Sequence, residues 1–303
     1  MILCGEHAVV YNRPAIAVPV SGLRVTVQLR RNQGGERGLR LISGDLERYL
    51  LLTAPEKQSI TDALEMTVRL VLDALQRPLP DMTATIESQI PVASGLGSGA
   101  AVSAALGRAL SAALGSPLNN PALNAIVYEV EKIHHGTPSG IDNTVIVYEQ
   151  PVFFVRGRSI ETFTIAVPFT LLIADTGLGA LTKVAVGDVR RLYETAPERI
   201  QPVLSAIGDL VVQARSAIEG GDLPRLGALM TQNHAYLRHL TVSSAELDRL
   251  VEAALAAGAL GAKLSGGGRG GNMIALVTSE SEPSVRAALN DAGARHVYKT
   301  TVG

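Results

Sequence analysis

The sequence predicts a protein of mixed α and β structure organised in two domains, and three observations carry that expectation. The chain has 303 residues, more than one hydrophobic core normally organises. Its first half mixes short strand-like runs with helical ones, while its second half is mostly helical, with strands at 262–264 and 273–277. Near the centre, a strand at 83–90 runs into a glycine-rich loop and then into a small-residue helix at 100–114.

Composition bounds the function. Hydrophobic residues make up 47% of the chain and charged residues 18%, as expected for a well-packed soluble protein. A net charge of −1 argues against a nucleic-acid surface, which shows clustered Lys and Arg. The single cysteine, Cys4, excludes an internal disulfide framework, and no Cys/His cluster has metal spacing. No apolar run approaches a membrane span, and no signal-peptide layout opens the chain. The expectation is a cytoplasmic enzyme or binding protein.

Taken in order, the chain begins abruptly in an apolar, strand-like segment that Gly5-Glu6-His7 interrupts with a turn. That start predicts that an upstream stretch is missing. Residues 15–31 read as a strand pair, with Val25, Val27 and Leu29 on one face. Residues 32–38 read as a hairpin connection to a strand at 39–42. Ser59 reads as the N-cap of a helix to about residue 75, with Leu64, Val68, Val71 and Leu75 on one stripe. After the glycine loop, Pro121 opens a helix at 122–134. Strands are expected at 144–148 and 152–155, then two more across 163–174, broken near Pro168, where a domain change is expected. Helices are expected at 182–194, 198–219, 223–239, 245–257 and 282–292, with a last strand at 296–300.

The central stretch is Pro91-Val92-Ala93-Ser94-Gly95-Leu96-Gly97-Ser98-Gly99-Ala100-Ala101. Its glycines let the backbone turn tightly and approach a ligand. The helix that follows offers unpaired N–H groups and the positive end of its dipole, which favour an anion, most often a phosphate. It is not a Walker A loop, because no lysine occurs between Glu87 and Asn119. Residues 95–100 do match G-x-G-x-x-A, but the first acid after Gly97 is Glu129, too far on for a ribose. A purely structural turn that packs helix on strand is the other reading.

Three further places could carry chemistry. Asp142 lies in a Pro- and Gly-bearing loop just after a helix bearing Glu131; such a carboxylate could be a general base or a metal ligand, or could simply cap a turn. Glu131 with a bound nucleotide would suffice for Mg²⁺, or it is a solvated helix residue. Glu6 and His7 could bind a polar substrate, or His7 could be a satisfied structural residue. The run Ser265–271 could form a second backbone cradle or a flexible hairpin, with Arg269 on phosphate or in solvent.

Together these segments resemble the GHMP small-molecule kinases. Gly5–Tyr11, Pro91–Ala101 and 261–271 look like that family's three motifs in the right order, and 131–143 is similar to the signature of its mevalonate kinase branch. The resemblance implies an α+β, two-domain GHMP kinase fold. An N-terminal ATP-binding domain of the ribosomal-protein-S5 domain 2-like type would cover 1–165, and a ferredoxin-like C-terminal domain 166–303. It implies that Pro91, Ser94, Gly95, Leu96, Gly97, Ser98, Gly99 and Ala100, with Gly266 and Gly267, hold ATP. It further implies that Glu131 and Ser98 hold Mg²⁺, that Asp142 is catalytic, and that Glu6, His7 and Thr182 line the substrate pocket. The implied reaction is ATP-dependent phosphorylation of the 5-hydroxyl of mevalonate, in a cytoplasmic homodimer with no nucleic-acid or membrane partner.

Two departures stand out. The family carries a lysine two positions before Ile2, where this sequence has no residue, and Gly99 stands where a second serine is usual. Both predict an impaired catalytic rate. The alternatives are a sibling kinase acting on phosphomevalonate or homoserine, or a metabolite- or nucleotide-binding sensor that keeps the fold. A phosphomevalonate site would need extra cations, and near His7 the sequence offers only Arg13 and Arg24.

Overall fold

The computed structural model describes residues 1–44, 48–53, 62–90, 96–135, 138–179 and 182–303. The chain divides into two compact units: an inner unit, Leu23–Tyr148, and a flanking unit made of Met1–Gly22 with Glu149–Gly303. The flanking unit begins with β1 (Ile2–Cys4), a short 3₁₀ turn at Ala8–Tyr11, and β2 (Ala15–Ala17), which pairs antiparallel with β1.

The inner unit is a four-stranded sheet with helices packed on it. Its strands are β3 (Val25–Arg31), β4 (Leu39–Ser43), β5 (Arg48–Leu52) and β6 (Met82–Ser88), in the order β3-β6-β4-β5. β4 and β6 run parallel, so the chain must cross over between them, and α1 (Ala63–Leu75) lies in that crossover. Alternation sets the buried face: Leu39 and Leu41 of β4 and Ala84 and Ile86 of β6 point inward, while Thr85 and Glu87 face water. They meet Leu64, Val68 and Val71 of α1, as the stripe predicted, and Val102, Leu106 and Leu110 of α2 (Ser98–Ala113). A second core joins Ala100 and Ala104 of α2 to Leu123 and Val127 of α3 (Asn120–His135) and Val147 of α4 (Ile141–Tyr148). The small residues of α2 are what let α3 and α4 come this close.

In the flanking unit, β2 also pairs with β7 (Val152–Phe154), which pairs with β8 (Glu161–Thr162). A second sheet contains β9 (Phe169–Asp175), β10 (Gly261–Ser265), β11 (Asn272–Val277) and β12 (His296–Val302), all antiparallel, in the order β10-β11-β9-β12. Between β9 and β10 run α5 (Thr182–Thr195), α6 (Pro197–Gly220), α7 (Leu223–His239) and α8 (Ala245–Ala256), and α9 (Glu282–Asp291) precedes β12. That β-α-β-β-α-β path with this strand order is the ferredoxin-like arrangement expected for the second half. β11 is buried along its whole length and β9 nearly so, because α8 and α9 cover them.

Five element expectations need correction. Residues 15–31 are not a strand pair: β2 and β3 belong to different sheets. The segment 32–38 is not a hairpin, since β6 sits between β3 and β4. Residues 144–148 are helical. Their β-branched side chains read as a strand, but Val145 and Val147 are buried, and the Thr144 hydroxyl donates to the Gly140 carbonyl at 2.6 Å, a helix-compatible bond. Asp62 is the cap of α1, accepting from Leu64 and Glu65 N–H at 2.8 and 3.1 Å; Ser59 lies outside the described residues. The span 163–168 contains no strand, and β9 begins only after Pro168.

Candidate active site

In the inner unit the site is built on the starts of two helices. Gly97 precedes α2 with φ +72, a conformation a side chain would strain, and a Cβ there would lie 2.8 Å from Ile146 Cδ1 of α4. Close packing of Leu96-Gly97 on α4 therefore depends on glycine. Gly97 has no side chain to cap α2, so its first-turn N–H groups, at Ser98, Gly99 and Ala100, remain available to an anion. Ser98 and Gly99 are half-buried, and Leu96 and Ala100 are buried. Pro91, Ser94 and Gly95 lie outside the described residues.

Ile146 is one turn beyond Asp142 on the same face of α4, so the loop exit and Asp142 share that face. The helix is fixed from several sides. Asn143 Nδ2 donates to Asn124 Oδ1 at 2.7 Å, and Asn124 Nδ2 donates to the Thr144 hydroxyl at 3.3 Å, tying α4 to α3. Arg108 of α2 donates to the Val147 carbonyl, satisfying the other end of α4. Asp142 is half-buried in the first turn, where the dipole favours a carboxylate.

Glu131 of α3 is 6% exposed, so it is not the solvated residue of the bland reading. Burial first, and then the negative charge of Asp142, push its carboxyl up to about 7. Two carboxylates in each other's field, one of them buried, suit a hard divalent cation, which takes one or two carboxylates with phosphate and water oxygens. Among the described residues no group of three or more His, Cys, Asp or Glu side chains could hold a metal. A cation here would therefore need oxygens from a bound phosphate to complete its shell. The residues fit Mg²⁺ carried with a nucleotide.

In the flanking unit the other expected residues converge. Glu6 is 1% exposed and His7 5%. The His7 backbone is held at φ 60, ψ −44, a strained conformation for a residue with a side chain. Its ring meets the Gly267 carbonyl at 3.1 Å. Desolvation, opposed by the Gly267 carbonyl and helped by the charges of Arg269 and Lys263, lowers its pKa to about 4. The ring is thus neutral at pH 7. Facing a carbonyl, Nε2 must carry the proton and donate, which leaves Nδ1 an acceptor suited to a hydroxyl. Gly267 lies against Thr182, whose Oγ1 would be 2.8 Å from a Cβ at that position. Gly266 presents its N–H near the Glu6 carboxylate. The run after β10 is a turn of positive-φ residues, and Arg269, at φ 60, pairs with Asp188 of α5 rather than standing in solvent.

Sequence reasoning missed three groups. Lys263, fully buried, pairs with Glu6; the signal was a charged residue in the middle of a predicted core strand. His234 and Asp248 join β10 to α7 and α8, and the Asn124–Asn143 bond sets α4. Neither of these has a local signature.

Comparison with known proteins gives consistent results. The family described as the GHMP kinases N terminal domain matches residues 63–150, and GHMP kinases C terminal matches 214–295. A mevalonate kinase of Thermococcus sibiricus is 35% identical over 97% of this chain and 91% of its own. Among solved structures, the L. major mevalonate kinase in complex with R-mevalonate superimposes with a TM-score of 0.85 at 30% identity, covering 99% of this chain and 93% of that one. The Methanococcus jannaschii mevalonate kinase gives 0.85 at 26% identity, covering 99% and 94%.

Proposed function

The chain belongs to the mevalonate kinases of the GHMP kinase family, and from that premise we propose that it transfers the γ-phosphoryl group of ATP to the 5-hydroxyl of (R)-mevalonate, giving 5-phosphomevalonate and ADP. The observation that carries the residue roles is the buried Glu131 carboxylate in the field of Asp142. A pure binding protein would gain nothing from that costly pair, whereas phosphoryl transfer uses both.

Asp142, held by a helix that α2 and α3 fix, orients the 5-hydroxyl and takes its proton as the oxygen attacks the γ-phosphorus. The first-turn N–H groups of α2 and the loop from Pro91 to Gly97 hold the phosphate oxygens, with Gly266 and Gly267 as a second cradle. Glu131 and Ser98 would hold Mg²⁺, which neutralises the phosphate charge when bound. Glu6, His7 and Thr182 hold mevalonate, the neutral His7 offering Nδ1 to a substrate hydroxyl. Chemistry of this kind rests mainly on positioning and charge neutralisation.

With this reading go a homodimer, a cytoplasmic location and a family division near residue 165, between the matched segments 63–150 and 214–295, although residues 1–22 and those from 149 on pack in the flanking unit. Among the described residues no helix is long and apolar enough to cross a membrane.

The test is an ATP-dependent assay offering mevalonate, phosphomevalonate and homoserine to the wild type and to Asp142→Asn. Turnover of mevalonate that drops by roughly 10²- to 10⁴-fold in the variant, with the KM for ATP little changed, supports the proposal. Preference for another alcohol, or undiminished turnover in Asp142→Asn, refutes it.

A further inference from the structure

Lys263 has no part in the reaction as described, yet it is among the most costly residues in the flanking unit to bury. It lies in the middle of β10 with no exposed surface. Its ammonium donates to Glu6 Oε1 and to the Leu264 carbonyl at 2.6 Å. Taking both charges out of water costs about as much as their attraction returns, and an apolar pair of similar volume would hold the fold as well or better. Stability therefore does not account for the pair.

Its surroundings do. Residues at every second position from 263 grip the same N-terminal segment. Lys263 holds Glu6, Ser265 Oγ donates to the Ile2 carbonyl at 2.8 Å, and the Gly267 carbonyl meets His7 at 3.1 Å. α7 holds the segment too, through Asn233 Oδ1, which accepts from Gly5 N–H at 3.2 Å. From behind, the Leu264 N–H donates to His234 Nδ1 at 3.3 Å, so the proton of that ring sits on Nε2 and donates to Asp248 at 3.1 Å. The strand carrying Lys263 is thus pinned on both sides. Glu6 Oε2 has no hydrogen-bond partner, so one oxygen of the carboxylate is spent on Lys263 and the other is left over.

We infer that Lys263 is a positioning residue for mevalonate binding: its ammonium aims the Glu6 carboxylate and favours its charged form, and through the Glu6–His7 peptide it keeps His7 in its strained conformation. This rests on the reading that Glu6 and His7 line the substrate pocket. Burial alone drives Glu6 toward its neutral form. The Lys263 charge and then its hydrogen bond oppose that, with the backbone N–H groups of Glu6 and Gly266 adding less, yet burial remains the larger effect and leaves the carboxyl raised above its ordinary range. The other titratable groups in the field of this pair are the Cys4 thiol, which burial pushes up to about 12, and the rings of His7 and His234, each lowered to about 4 chiefly by burial; all three are neutral near pH 7.

The experiment measures mevalonate affinity by calorimetry and turnover by coupled assay, from about pH 6 to about pH 9. The proteins are wild type, Lys263→Met, Lys263→Arg, Glu6→Gln and the double variant E6Q/K263M. Lys263→Met should raise the KM and Kd for mevalonate about tenfold or more and leave the KM for ATP within about twofold. Its mevalonate affinity should recover only at higher pH than that of wild type, because without the Lys263 charge Glu6 ionises later. Lys263→Arg should restore much of the affinity. In the Glu6→Gln background, Lys263→Met should have no further effect on mevalonate binding, because the lysine acts only through Glu6. A wild-type KM and a flat pH profile in Lys263→Met would overturn the inference, as would an equal loss for ATP and mevalonate. Should Lys263→Met not fold, E6Q against E6Q/K263M carries the test, and a further tenfold loss in the double variant overturns the inference. Wild-type protein that neither binds nor phosphorylates mevalonate overturns the functional reading itself, and the inference with it.

Discussion

Replacing His7 with asparagine should remove an acid-sensitive part of the stability of the flanking unit. The buried ring has a pKa lowered from 6.5 to about 4, chiefly by desolvation. Between those values the unfolded chain binds a proton that the folded chain does not. The contribution of His7 is therefore fully present above pH 6.5 and is lost as pH falls toward 4. At about 1.4 kcal/mol per pH unit, that window amounts to roughly 3 kcal/mol. Asparagine does not titrate, can still donate to the Gly267 carbonyl, and tolerates positive φ better than most residues. His234 is lowered in the same way, to about 4, and the chain holds six histidines, so the observable is a difference. Stability should be compared between wild type and His7→Asn by amide hydrogen exchange of β1, which reports on the flanking unit whatever the inner unit does. The advantage of wild type over the variant should shrink by most of about 3 kcal/mol between pH 7 and pH 4.5. A difference that stays constant across that range would show that the ring is not held neutral in the fold, and the assignment of Nδ1 as an acceptor would fall with it.

Two further outcomes follow from the geometry. Glu131→Gln should raise the Mg²⁺ concentration needed for half-maximal turnover by at least about tenfold, since even indirect supports of a metal cost that much; an unchanged requirement, measured by titration at saturating ATP, would remove Glu131 from the metal site. Gly261→Ala should be severely destabilising, because a Cβ on β10 would lie 1.9 Å from the backbone oxygen of Gly227 on α7, which has no flexible end to move. A cost of about 3 kcal/mol or more would lower the melting temperature by roughly 6 °C or more, and a shift under about 2 °C would contradict the close crossing of helix and strand.

The elements that form the candidate site of the inner unit were legible because their signals are local. A strand, three glycines and a helix of small residues follow one another within about thirty positions, and the structure places Gly97 and α2 as that order implies. Glu131 and Asp142 are eleven positions apart on neighbouring helices, so their meeting needed only a short connection between α3 and α4. Residues 144–148 misled for a local reason as well. Val and Thr favour strands by propensity, but burial against α2 and α3 decided for helix.

What the sequence by itself determined is most of the elements and the residue types gathered in the candidate site, since periodicity and turn chemistry act over a few residues. The tertiary structure alone decided the partners. The first 22 residues pack with the second half of the chain, β2 and β3 go to different sheets, and Lys263 reaches Glu6 across 257 positions. Strand pairing and the pairing of buried charges depend on which surfaces are desolvated together, and no window along the chain contains both sides of that contact.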